Sequence, residues 1–153
     1  MRVAVLLVLA GCWSSSDAVP EQRLPPLVER EPVPPPMRRP AHSVWKGHYV
    51  CAQGRTALTL SLDHDGPTLS GVFDFGPLDE NPTVPHGSYR MTGTATTSGG
   101  GAVVVKLAPL EWIEHPNNYV MVGIEATTDR ERRELSGVIT HATCGEVELS
   151  RVE

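Results

Sequence analysis

From about residue 43 to the end of the chain, the sequence predicts one all-β domain of about eight antiparallel strands. It would be closed as a small up-and-down barrel or packed as a sandwich. Three observations predict it. Apolar and polar side chains alternate with period two in segment after segment. Turn signals rich in Gly, Pro, Asp and Asn separate those segments at even spacing. The 153-residue chain carries 14 glycines and 14 prolines, and no 12-residue window holds a helical stripe. That composition suits short strands and tight turns.

The elements follow in order. Trp45 to Cys51 opens the domain, and Gln53-Gly54 reads as its first hairpin turn. Thr56, Leu58, Leu60 and Leu62 alternate with Ala57, Thr59 and Ser61, so the leucines share the inner face. Asp63-His64-Asp65-Gly66-Pro67 is a dense turn signal. Leu69, Gly71, Phe73 and Phe75 then lie on one face, and Tyr89, Met91 and Gly93 continue the pattern. Thr97 to Gly101 is a glycine-rich turn. Val103, Val105 and Leu107 face one way, and Pro109–Asn118 reads as a long loop before Val120, Val122 and Ile124. Asp129 to Arg133 is a charged turn. Leu135, Gly137 and Ile139 follow, and Val147 and Leu149 end the run. Leu69-Ser70-Gly71-Val72 echoes in Leu135-Ser136-Gly137-Val138, and the two glycines mark bends or close backbone approaches.

The first 42 residues have a different character. Met1-Arg2 supplies one positive charge, and Val3 to Ala10 is an unbroken apolar run. Charge followed by a short apolar run is the order of a secretory signal, and the run is too short to span roughly 30 Å of hydrocarbon. It ends in Leu9-Ala10-Gly11-Cys12, which resembles the lipobox of bacterial lipoproteins. The resemblance implies cleavage after residue 11. It also implies lipidation of Cys12, whose thiolate takes up a diacylglyceryl group and whose new N-terminus accepts a further acyl chain such as palmitate. Several acyl chains anchor a protein more firmly than one. Trp13, rather than aspartate, follows the cysteine, which favours the outer over the inner membrane.

Eight prolines fall between Pro20 and Pro40. Large apolar side chains are few, so residues 12–42 read as a disordered, lipid-anchored tether. About 30 residues at about 3.1 Å each reach roughly 90 Å at most. The expected organisation is therefore a signal peptide at 1–11, a lipidated cysteine and proline-rich linker at 12–42, and the β domain at 43–153. A second reading of Val33-Pro34-Pro35-Pro36, as a ligand for a proline-binding domain, stays open beside the tether.

Net charge is −5. The tether is balanced, whereas the domain from Ser43 onward holds eight basic and fourteen acidic side chains. An acidic domain excludes the basic footprint of nucleic-acid binding and disfavours direct adhesion to anionic lipid. With Cys12 acylated, Cys51 and Cys144 remain. One lies in the first strand and the other just before the last, and a closed barrel makes those strands neighbours. An exported location then permits a Cys51–Cys144 disulfide. The competing reading leaves both thiols free, with His141 three residues before Cys144. Positions three apart on a strand point to opposite faces, which argues against such a pair.

Trp45-Lys46-Gly47-His48-Tyr49-Val50-Cys51-Ala52-Gln53-Gly54-Arg55-Thr56 is one of several pattern segments. Phe73-Asp74-Phe75, Asn81 to Tyr89, Trp112, Pro116 to Tyr119, and Cys144 follow it. Together they resemble an uncharacterised module of bacterial exported and multidomain proteins over nearly all of 45–153. The resemblance implies the domain boundaries and the paired cysteines, and assigns no activity. Tyr49-Val50-Cys51, with Gly54 and the alternating leucines, is similar to the start of the small β-barrel lipoproteins that inhibit lysozyme. That family's serine- and alanine-rich inhibitory segment has no counterpart here. The up-and-down alternative read from the strand spacing would be a lipocalin-like barrel.

Sites are sparse. Asp63-His64-Asp65-Gly66 lacks the distal glutamate of a calcium loop and reads as a turn. The six histidines, His42, His48, His64, His86, His115 and His141, show no metal-ligand spacing. Glu114-His115 beside Trp112 is the nearest approach to an acid–base pair, and no serine sits in a nucleophile elbow. No metal, cofactor or catalytic set is therefore expected. The candidate binding residues are loop aromatics and polar groups: Trp112, His115, Asn117, Asn118 and Tyr119 in one cluster, and Asn81, Pro82, Pro85, His86 and Tyr89 in another. Trp112 and Tyr119 have a competing role as plugs of one barrel end, and Trp45 as a plug of the other. The expected function is a membrane-anchored, non-catalytic binding or interaction domain for a protein or small ligand. Inhibition of an exported hydrolase such as lysozyme ranks second, and an enzyme third.

Overall fold

The computed structural model describes residues 41–153. The signal peptide at 1–11, Cys12 and the tether up to residue 40 lie outside the described residues. Eight antiparallel strands form a closed up-and-down barrel: β1 (Ala41–Cys51), β2 (Gly54–Asp65), β3 (Thr68–Gly76), β4 (Gly87–Thr97), β5 (Val103–Glu114), β6 (Ile124–Thr128), β7 (Glu134–Ile139) and β8 (Glu146–Arg151). Each strand pairs with the next, and β8 closes on β1 from Trp45↔Arg151 to Tyr49↔Val147. Of the two architectures open to the sequence, the barrel is the one formed. Closure leaves no strand wholly at an edge. His42, which the sequence reading gave to the tether, pairs with Asp63 inside the β1–β2 ladder.

The alternation dictates the core. Leu58, Leu60 and Leu62 from β2 meet Leu69, Phe73 and Phe75 from β3, with Tyr89, Met91, Val105, Leu107, Ile124, Leu135, Val147 and Leu149 completing the interior. Removing each such large side chain from water contributes about 1.5–3 kcal/mol. The glycines of the repeated Leu-Ser-Gly-Val segments do mark close approaches. A Cβ on Gly71 would strike the Ser61 carbonyl oxygen, and one on Gly137 the Glu125 carbonyl oxygen.

The two barrel ends differ. At the turn end, residues 66–67, 98–102 and 129–133 make compact connections. At the loop end lie the hairpin at 52–53 and the longer connections 77–86, 115–123 and 140–145. The first hairpin turn is Ala52-Gln53, one residue earlier than expected. Gly54, at φ 92°, already pairs with Cys51 as the first residue of β2. The Cys51–Cys144 disulfide joins the end of β1 to the connection before β8. Beside it, Gly145 N–H donates to Val50 O at 2.9 Å.

The largest departure from the sequence reading is the expected loop Pro109–Asn118. β5 runs through its first half, to Glu114. β6 pairs with β5 only as far as Leu107↔Ile124, so residues 108–114 have β4 alone as a ladder partner. That half-edge accommodates Pro109, which lacks a ladder donor. Val120 also departs from expectation. It is exposed and precedes β6 rather than alternating inward with Val122 and Ile124.

Candidate functional site at the loop end

Six of the eight Phe, Tyr and Trp side chains of the chain join in one network toward the loop end. Phe73 stacks on Tyr89 with centroids 4.7 Å apart and meets Tyr49 edge-on at 5.3 Å. Tyr89 meets Trp112 at 5.2 Å, and Tyr119 stacks on Phe75 at 5.4 Å. His115 extends the series outward, lying parallel to Trp112 at 4.3 Å, with Nε2 3.2 Å from Tyr119 O. In the tautomer with the proton on Nε2, that nitrogen donates to the carbonyl. Offset and edge-on contacts of this kind each contribute about 0.5–1.5 kcal/mol beyond area burial.

Above this network opens a cavity of about 400 Å³. Tyr49, Phe75, Tyr89 and Tyr119 contribute aromatic wall, and the disulfide, Gln53, Asn118, Val120, His141 and Thr143 contribute its rim. Most of its polar groups are engaged locally, whereas the Asn118 side chain is exposed. Gln53 Nε2 donates to Tyr49 Oη and Thr56 Oγ1, each at 3.3 Å, and Thr56 Oγ1 donates to Gly54 O. Burial pushes the Tyr49 and Tyr89 hydroxyls well above the ordinary phenol range, so both stay protonated.

The sequence-predicted site residues divide into three groups. Asn117 and Asn118 are exposed on the 115–123 connection, and His115 and Tyr119 flank them. Asn118 takes φ 65°, a left-handed conformation that Asn tolerates, in the turn closed by Tyr119 N–H to Pro116 O. Asn81 and His86 lie on the 77–86 connection. Asn81 is a structural tie: Nδ2 donates to Gln53 O at 2.8 Å and Arg55 O at 3.0 Å, holding that connection to the first hairpin.

Tyr89 and Trp112 are not loop residues. Tyr89 is buried in β4, where its hydroxyl donates to Val122 O at 2.9 Å and accepts from Val122 N–H at 3.2 Å. It satisfies two main-chain groups of the 115–123 connection. Trp112 is half-buried in β5 and packs against the core, its role as an end plug.

The sequence reading missed Leu110 and Ile113. The β4–β5 register shifts twice, between Ser88 and Tyr89 and between Arg90 and Met91. The residues left over on β5 are Ile113 and Leu110. A β-bulge places two residues opposite one and re-aims a side chain, and these two are 54% and 60% exposed. With Val120 they account for three of the five exposed large apolar side chains of the described barrel. Pro109 in an otherwise alternating run was the signal available for a bulged edge. Arg90 and Glu111 pair at 2.9 Å on the outer surface of the same stretch.

No protein-family model matches the chain, and no curated protein matches it.

Proposed function

We propose that this chain is an exported lipoprotein, anchored in the membrane through acylated Cys12, whose barrel is a non-catalytic binding domain for a protein partner. The contact surface is the loop end: the bulged half of β5, the 115–123 connection and the aromatic mouth between them. The observation that carries the reading is the pair of bulges. Contiguous exposed apolar surface marks interaction sites, and two register shifts turn Leu110 and Ile113 outward three positions apart on the bulged half of β5. Binding rather than catalysis accords with the mouth's Tyr49, Gln53 and Tyr89 side chains, which are spent on one another, on Thr56 and on the main chain. The lipobox and the proline-rich tether support the anchor, and the Cys51–Cys144 disulfide accords with an oxidising compartment.

The test uses the intact lipidated chain in its own envelope, with a photocrosslinking side chain at Ile113 or, as a control, at exposed Val138 on β7. Discrete adducts are expected from position 113 and not from 138. Asn118→Ala and Val120→Asp should weaken them. Identical adducts from both positions, or none from 113, would overturn the reading. Addition of the purified chain to lysozyme separates out the inhibitor reading: stoichiometric inhibition lost in Asn118→Ala would identify the partner as such a hydrolase.

A further inference from the structure

The opposite end of the barrel carries a second cavity, of about 340 Å³, whose character differs from the mouth just described. Its inner wall is apolar: Trp45, Leu62, Val103, Val105 and Leu135. Its charged and titratable lining is wholly basic, consisting of His42, His64, Arg132 and Arg151, and no carboxylate lines it. The contrast with the domain as a whole is sharp, since fourteen acidic side chains stand against eight basic ones from Ser43 onward.

Several nearby acids are engaged by other groups, while Asp65 and Glu153, beside the lining residues His64, Gly66 and Arg151, are exposed and stay outside the lining. Asp63 pairs with His42 at 2.8 Å on the outer side of the ladder, so His42 already faces a carboxylate and, among the described residues, the free cations of the lining are Arg132 and Arg151. Asp129 accepts the main-chain N–H groups of Arg133 and Glu134, and Glu131 pairs with Arg133. Glu134 accepts from Ser150 Oγ. Arg151 uses its Nε on the Glu153 main-chain oxygen and lies 5.9 Å over the Trp45 ring, which holds the guanidinium at the rim. Among the described residues neither Arg132 nor Arg151 makes a side-chain ion pair.

The cavity floor is also ordered for polar contact. Trp45 Nε1 donates to Ser43 Oγ at 3.1 Å, and Ser43 Oγ lies 3.0 Å from His64 Nε2. Ser43 is buried. In the neutral ring with its proton on Nδ1, His64 accepts from the Ser43 hydroxyl.

We infer that the turn-end cavity is a binding site for a small amphipathic carboxylate, with its single alkyl chain against Trp45, Leu62, Val105 and Leu135 and its head between Arg132 and Arg151. Planar guanidinium groups match a carboxylate through paired charge-assisted hydrogen bonds. The volume lies at the lower end of small-molecule pockets, which favours one short chain over a diacyl lipid. This site is independent of the loop-end contact surface, and either can fail without the other.

The test is a titration of the full chain carrying Cys12→Ser, disulfide intact, with decanoate below its micelle concentration. The readout is the indole N–H resonances of Trp45 and Trp112. Decanoate should move the Trp45 resonance saturably and leave that of Trp112 in place. Decanol, which lacks the charge, should bind about tenfold or more weakly, as expected when charged hydrogen bonds are lost. Arg132→Asn should weaken decanoate by a similar factor. Arg132 sits at φ 57° on an exposed turn, a conformation Asn adopts, so the fold is retained. Arg151→Gln supplies a second variant, checked by an unchanged melting temperature. An unmoved Trp45 resonance, equal affinity for decanol, or undiminished binding by Arg132→Asn would each overturn the proposal.

Discussion

Replacing Cys51 and Cys144 together by alanine removes the covalent tie across the closing seam of the barrel. The bond spans a sequence separation of 93 residues. In the chain-entropy model, a loop of that length restricts the unfolded chain by about 4–5 kcal/mol at 25 °C. The seam itself survives in the folded state, since β1 and β8 remain paired over five positions and Gly145 N–H still reaches Val50 O. The loss therefore falls on the unfolded ensemble rather than on native contacts. Unfolding residues 41–153 carries an entropy of about 0.24 kcal/mol per kelvin at about 2.1 cal/mol/K per residue. The melting temperature should thus fall by roughly 15–20 °C, with far-UV circular dichroism and the buried-tyrosine signals unchanged below the transition. The assay is thermal and urea unfolding of the oxidised chain, the reduced chain and the double variant. A shift under about 5 °C, or a native spectrum lost on reduction at low temperature, would refute the argument that the bond acts mainly by restricting the unfolded chain.

Three further outcomes follow from the same geometry. Tyr89→Phe leaves Val122 N–H and C=O without their buried partner, so it should cost about 2–3 kcal/mol and speed hydrogen exchange across 115–123 more than elsewhere. Gly47→Ala would drive a Cβ into the Glu148 main-chain oxygen on β8; it should destabilise by about 2 kcal/mol or more in urea unfolding, whereas Gly99→Ala, in open space on a turn, should be near neutral. Burial, reinforced by Arg151, lowers the pKa of His64 below its ordinary value of 6.5. The unfolded chain then binds more protons between the folded pKa and about 6.5, so this group makes stability fall as pH drops through that window. Unfolding curves of His64→Gln across that range should be flatter than those of the parent, and an unaltered slope would count against the assignment.

Much of the barrel was legible because period two is a strong signal wherever one face is buried. Leu58, Leu60 and Leu62, then Leu69, Phe73 and Phe75, wrote the inner face of β2 and β3 directly, and Gly71 and Gly137 announced their close approaches. Strand pairing of first with last followed from closure, and the disulfide from two cysteines at the ends of that pairing. The loop end was less legible. Pro109 and Pro116 look like loop punctuation, yet a half-edge with β4 as its one partner tolerates Pro109 and lets β5 continue. The bulges depend on the register of two strands, which no local pattern specifies, so Leu110 and Ile113 went unnoticed as outward residues. Tyr89 was read as both core and surface because tyrosine serves either, and the Val122 main chain that decides the matter lies 33 positions away. The basic cavity at the turn end draws His42, His64, Arg132 and Arg151 from four separate segments, and only closure of the barrel brings them together.

The account stands most directly on an intact mass of the protein purified from its membrane fraction, measured before and after reduction with thiol alkylation. It predicts a chain lacking residues 1–11, with a diacylglyceryl adduct at Cys12, and with two alkylatable thiols, Cys51 and Cys144, that appear only after reduction. An unlipidated chain retaining residues 1–11, with both thiols alkylated without reduction, would contradict it.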